Sequence, residues 1–173
     1  MPGISINRIT NGNVYLGNNS MLGKVAEVTL PEVSAIMTEH KALGMFGKVE
    51  LPSGLEKLEG TIIWNAFYKD VAIAMGNPFQ SHALQIRCNV ETYDAQGRMK
   101  EVPMVTFLTV MFKKNPLGAY KQAENAEFTS LFSATYVKQV IDGDEVLELD
   151  YMANIFRVNG ADVMSTFRNS LGV

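Results

Sequence analysis

The clearest alternation in the chain runs from Leu84 to Glu91. Leu84, Ile86, Cys88 and Val90 are apolar, and Gln85, Arg87, Asn89 and Glu91 between them are polar. A period of two predicts a strand with one buried face. Asp94-Ala95-Gln96-Gly97 then supplies turn chemistry. Residues 99–112 are apolar on both faces, with Val102, Met104, Leu108, Val110 and Phe112 on one and Val105, Phe107 and Met111 on the other. Such a strand needs cover on both sides, from its own fold or from a partner. Residues 128–140 place Phe128, Phe132 and Tyr136 on one face and Thr129, Ser133, Thr135 and Gln139 on the other. Asp142-Gly143 predicts a two-residue hairpin, because glycine accepts the positive φ of a type I′ turn. Val146 to Asp150 is the return strand, and Asn154 to Val158 a further one.

Glu56 to Trp64 reads as a strand carrying Leu58, Ile62 and Trp64 on one side and Lys57, Glu59 and Thr61 on the other. Helical spacing appears twice. Phe67, Val71, Ala74 and Met75 share a face, and Gly76 and Pro78 stop it. Val163, Met164, Phe167 and Leu171 form the stripe of a terminal helix, with Asn159 and Asp162 as candidate caps.

The first third is patterned differently. Residues 1–23 are rich in Gly, Asn and Ser around one apolar island, Val14-Tyr15-Leu16, and predict a mobile arm with one short strand. Residues 24–30 alternate and stop at Pro31, as an edge strand would. Val33 to His40 extends again, Gly44-Met45-Phe46-Gly47 turns, and Val49 to Leu51 returns. Residues 31–54 thus form a long hairpin with little core-facing alternation of its own, of the kind that gains its burial from a neighbouring chain. About eight strands and two short helices result, with no internal period. The predicted class is mainly β: a sandwich or barrel with one or two short flanking helices and a long extended hairpin, residues 1–173 forming one domain.

Composition narrows the function. The chain is 47% hydrophobic and 19% charged, as a globular protein is. A net charge of −3 without a basic stripe argues against a duplex-DNA reader. Cys88 is the sole cysteine, so no disulfide scaffold forms within one chain. The N-terminus lacks the charged and apolar regions of a signal peptide, and no apolar run approaches a membrane span, so no membrane insertion is expected. His40 and His82 have no Cys, Asp or Glu at metal-ligand spacing. The acidic run Asp142, Asp144, Glu145, Glu148, Asp150 lacks the spacing of a calcium loop and reads as a solvated hairpin edge. Gly44–Gly47 lacks the Lys-Ser/Thr of a phosphate loop. No catalytic constellation, metal site or cofactor is expected. Ten methionines fill core and also suit interfaces that adapt to several neighbours.

Four segments, in order, resemble a known family. They are Asn13-Val14-Tyr15-Leu16-Gly17, then Val28-Thr29-Leu30-Pro31-Glu32-Val33, then Gly44-Met45-Phe46-Gly47 with the stretch to Leu55-Glu56. The fourth is the C-terminal block Glu148-Leu149-Asp150, Val158-Asn159-Gly160-Ala161-Asp162 and Arg168-Asn169-Ser170-Leu171-Gly172. Together they resemble the major tail tube protein of contractile-tailed bacteriophages and of R-type bacteriocins. Residues 77–127 match only in strand character, and the Gly/Asn-rich stretch before residue 24 departs from the family in length. The resemblance implies a structural subunit, not an enzyme, forming hexameric rings that stack into a tube. DNA and the tape measure protein would pass through the lumen, with sheath, baseplate and tail terminator proteins as partners. Its place would be the tail of the virion, assembled in the bacterial host cytoplasm. On this reading Leu30, Pro31, Val33, Met37, Met45, Phe46, Val49 and Leu51 are the candidate inter-subunit contacts. Which polar face would line the lumen, that of Gln85, Arg87, Asn89 and Glu91 or that of Thr129, Ser133, Thr135 and Gln139, stays open. The tube of an R-type bacteriocin or of a type VI secretion-like system shares the architecture. A monomeric β-barrel binding a small ligand is the competing reading from another class.

Overall fold

The computed structural model describes residues 3–124 and 126–172; Met1 and Pro2 of the predicted arm, Asn125 of the predicted polar loop and Val173 of the C-terminal block lie outside them. The strands are β1 (Ile6–Leu16), β2 (Asn19–Ser20), β3 (Val25–Thr29), β4 (Ala35–His40), β5 (Val49–Leu55), β6 (Leu58–Trp64), β7 (His82–Asp94), β8 (Gly97–Lys114), β9 (Phe128–Ile141), β10 (Asp144–Asp150), β11 (Ile155–Val158) and β12 (Ala161–Asp162). The helices are α1 (Lys69–Gly76) and α2 (Ser165–Leu171). The mainly β class with two short helices and an extended hairpin is therefore observed. There are more strands than expected, and two of them, β2 and β12, are two-residue bridges that leave no periodic signal.

Ten strands form one antiparallel sheet in the order β12-β11-β10-β9-β8-β7-β1-β2, with β6 on β9 and β3 on β6. The sheet forks at β9. Its first half pairs with β6, from Leu58↔Ala134 to Trp64↔Phe128, and its second half pairs with β10 on the same edge, from Asp150↔Tyr136 to Asp144↔Ile141. The curled inner face encloses one core, in which Trp64, Phe112, Phe132, Leu58, Ile62 and Val110 are fully buried. Val71 and Met75 of α1 join it, as their spacing predicts, whereas Phe67 lies before the helix, exposed, with its ring edge-on to Phe128. Burying such large side chains supplies about 1.5–3 kcal/mol each. Gly60 permits a close approach: a Cβ there would collide with the Phe132 ring and meet the Thr29 carbonyl at 2.6 Å.

Two expectations change. The predicted mobile arm is an eleven-residue strand, paired with β7 from Ile6↔Tyr93 to Leu16↔Leu84. An edge strand is held by main-chain hydrogen bonds, so only Val14 and Leu16 need burial, and a Gly/Asn-rich sequence hides it. Second, Tyr136 is not on the face of Phe128 and Phe132. Thr109 pairs with Tyr136 but Val110 with Ala134, so Thr135 is an extra residue. The bulge reverses the alternation: Val137 takes the buried side and Gln139 follows it, donating to the buried Thr106 hydroxyl at 3.4 Å. Gln139 thus leaves the polar face of Thr129 and Ser133. The chain itself covers only one face of β8, which leaves the other for a partner. Val102, Met104, Leu108, Val110 and Phe112 are buried, while Phe107 is exposed and Val105 and Met111 are half-buried.

The Asp142-Gly143 turn is present, with φ of 54° and 89°.

Candidate assembly surfaces

The strands β4 and β5 form a separate two-stranded sheet that leaves the body at the fork, in register from Ala35↔Leu55 to His40↔Val49. Nearly all of it is exposed. A two-stranded hairpin standing alone is marginal in water. Its root is tied by main-chain and tyrosine bonds: Glu56 N–H donates to the Ser34 carbonyl at 2.8 Å, the Tyr151 hydroxyl donates to the Glu56 carbonyl at 2.7 Å, and Tyr151 N–H donates to the Thr135 carbonyl at 3.0 Å. Burial and the nearby Glu56 carboxylate push the Tyr151 phenol up. The root is therefore fixed at the branch point while the distal half reaches into solvent.

The eight candidate contact residues divide here. Val33, Met37, Met45, Phe46, Val49 and Leu51 are all exposed, and Phe46 is fully so. Leu30 and Pro31 are half-buried, and Leu30 packs on the chain's own core. Leu43, fully exposed, and Ile36 belong with the exposed set. Sequence reasoning missed them because the hairpin has no alternation that would mark out one face.

Two hollows of the surface bear on assembly. One, of about 490 Å³, opens between its root and the C-terminal lobe, among Pro52, Leu55, Leu149, Tyr151, Phe156 and Met164. The other, of about 570 Å³, lies between β1 and β3. β2 and Met21 run along β1, Met21 N–H donating to the Val14 carbonyl at 2.7 Å, and the chain then peels away to join β6 from Val25. Among the described residues no strand pairs with the outer edge of β1 before Val14 or with that of β3.

The outer face of the large sheet carries a transverse row: Tyr15, Gln85, Phe107, Lys138, Glu148, Arg157 and Asp162 are successive cross-strand partners over seven strands. Its charged end is internally compensated. Arg157 donates to Glu148 at 2.6 Å, the Tyr136 hydroxyl donates to Glu148 at 3.0 Å, and Lys138 pairs with Glu145 at 2.6 Å. Burial alone would raise the Glu148 carboxyl, but the hydrogen bonds from Tyr136 and Arg157 and the charge of Lys138 outweigh it and hold the group below the usual carboxylate range. Tyr136 is pushed up to about 12 by burial and by Glu148. Arg168 of α2 closes on Asp162, holding that carboxyl low, and Met164 N–H donates to Asp162 at 3.0 Å. The helix's N-cap is Met164, which makes no side-chain cap bond, so neither Asn159 nor Asp162 caps it; Asp162 holds the helix through Arg168 instead. Of its predicted stripe, Phe167 and Leu171 are on the helix and exposed, while Val163 and the half-buried Met164 precede it. Of the other polar set, Gln85 and Asn89 are half-buried and Arg87 is exposed over the Tyr15 ring, but Glu91 is buried. It accepts from Tyr93 at 2.6 Å and Arg98 at 3.4 Å, and its carboxyl is held low by them.

Among the described residues no three His, Cys, Asp or Glu side chains cluster as a metal site, and no helix is long and apolar enough to cross a membrane.

The family model of phage tail tube protein FII matches residues 6–172. The chain is 26% identical over 163 residues to the tail tube protein of Escherichia phage P2, covering 93% of this chain and 94% of that protein. It is 24% identical over 152 residues to the major tail tube protein of Serratia phage KSP20, covering 87% and 86%. Among solved structures it is similar to chains of the sheath–tube complex of an extracellular contractile injection system, PVC, in the extended state (TM-score 0.56, 12% identity, covering 75% of this chain and 87% of that one). A chain of the sheath/tube terminator of the same system is also similar, with TM-score 0.57, 11% identity and coverage of 75% and 92%. The match from residue 6 includes the stretch before residue 24, which therefore does not depart from the family as expected.

Proposed function

Because the chain belongs to the phage tail tube protein FII family, we propose that it forms hexameric rings which stack into the tail tube of a contractile phage, with DNA conducted through the lumen. The coarse part of this, a structural tail tube protein, follows from family membership. The observation that carries the finer part is the hairpin of residues 31–54: it projects from the fork with Met37, Phe46, Val49 and Leu51 uncovered. Apolar side chains held out on a tied stalk are explained by a neighbouring copy that covers them. Ring closure followed by open stacking needs one patch to meet a different one. The unpaired edges of β1 and β3 supply strand edges for such contacts.

The net charge of −3 is multiplied by six in a ring, which disfavours lasting contact with DNA phosphates in the lumen. The partners on this reading are further copies of the chain, a sheath protein, baseplate and tail terminator proteins, and the tape measure protein within. The site of action is the virion tail, after assembly in the host cytoplasm. The whole chain acts as one tail tube domain. The likeness to an extracellular injection tube supports a second reading, a bacteriocin or secretion-type tube, in which the cargo differs and the ring does not. The core is filled by Trp64, Phe112 and Phe132 rather than hollow, which disfavours a ligand-binding barrel.

Negative-stain microscopy and size-exclusion chromatography of the purified protein test the proposal. Rings or tubes are expected; a stable 19.1 kDa monomer at assembly concentrations overturns it.

A further inference from the structure

The slot between β1 and β3 has three properties that no contact within the chain uses. Its two walls are strand edges without a strand partner among the described residues. Its lining includes the apolar Ile86 and Met104 together with Cys88, whose thiol burial pushes up. Asn13 on its wall keeps a buried side-chain oxygen that accepts no hydrogen bond. Strand edges over an apolar floor are what an added extended segment recognises, main-chain bonds giving affinity and floor pockets giving register.

The hairpin has the converse properties. Each of its strands has one free edge, and its tip, residues 41–48, carries Leu43 and Phe46 fully exposed. The charges match as well. Glu27 is the only charged residue lining the slot, and among the described residues it has no ion-pair partner. The tip holds Lys41 and Lys48 and no acid; Lys48 pairs with Glu39 at 2.7 Å and Lys41 has no ion-pair partner among the described residues.

Resting on the tube reading above, we infer that the β1–β3 slot is the receptor for the β4–β5 hairpin of a second copy of this chain, with Phe46 over Cys88 and Lys41 facing Glu27. The hollow at the hairpin root suits this occupant less. It is already walled by the chain's own hairpin through Ala35, Pro52 and Leu55, and its one charged side chain, Asp150, accepts from the N–H groups of Met152 and Ala153. Hairpin into slot is a head-to-tail contact, so it propagates from copy to copy.

Native Cys88 makes the test direct. Phe46→Cys touches nothing in the core, and assembled F46C tubes are treated with a short bis-maleimide and run on a denaturing gel. A ladder of dimers, trimers and higher species is expected, lost when Cys88→Ser is added. A linkage within single chains, or a ladder that appears instead in F46C with Cys88→Ser and Ile155→Cys, overturns the inference and leaves the tube intact. Should F46C block assembly, the wild-type protein decides: Cys88 is expected to resist alkylation in tubes and react in dispersed chains, and equal rates overturn the slot assignment. If the wild-type protein forms neither ring nor tube, the tube reading itself fails.

Discussion

The Tyr151 hydroxyl donates to the main-chain carbonyl of Glu56 at 2.7 Å, joining the link between β5 and β6 to the turn that follows β10. This bond crosses the point where β6 and β10 share the edge of β9. It is one of three bonds that tie the hairpin root to the body. Tyr151→Phe is expected to lower stability by about 0.5–1.5 kcal/mol, the net worth of one hydrogen bond. Amide exchange should accelerate in residues 34–56 and not in β7 or β8. Uniform acceleration across the sheet would show that the bond holds the body and not the hairpin.

Trp64 donates its indole N–H to the Ser130 hydroxyl at 3.0 Å, and that hydroxyl donates to the Ile62 carbonyl at 3.3 Å, with all three residues buried. Ser130→Ala orphans the indole N–H in a dry core, costing about 1–3 kcal/mol. For a domain of this size each kcal/mol moves Tm by about 2–4 °C. Thermal unfolding measures the loss, and the emission of the single tryptophan reports the changed surroundings.

Acid should weaken the C-terminal half of the sheet. The Glu148, Glu91 and Asp162 carboxyls are held below their unfolded values of 4.5, 4.5 and 3.8. The folded state therefore binds fewer protons than the unfolded one in that range. Their stabilisation is complete above those unfolded values and drains as pH falls through the lower folded ones. Glu148→Gln is expected to cost roughly 1–3 kcal/mol near neutrality, as for hydrogen bonds to charged groups. It should also flatten the loss of stability below about pH 4.5 in urea titrations. An unchanged acid limb would remove Glu148 from the account.

Deleting residues 38–50 removes the distal hairpin, in which every residue is exposed. The body is expected to keep its β spectrum by circular dichroism and to change by less than about 1 kcal/mol, a few degrees in Tm. Tube growth, seen by microscopy, is expected to stop. Global unfolding of the deletion would place the hairpin in the core instead.

What the sequence determined by itself was local. Alternation in Leu84–Val90 and Leu58–Trp64, the helical stripe of Val71 and Met75, and the glycine of the Asp142-Gly143 turn each encode an element without reference to the rest of the chain. The exposed hairpin was legible as well, because a segment lacking core-facing alternation has nothing to bury against its own body. Tertiary structure decided the rest, for one reason: hydrogen bonding between strands is non-local and leaves no mark on side-chain pattern. Asn7, Asn11 and Gly12 become strand because β7 lies beside them, Tyr136 turns outward because Thr135 bulges against β8, and β1 and β3 stay apart because the chain crosses to β6 at Val25.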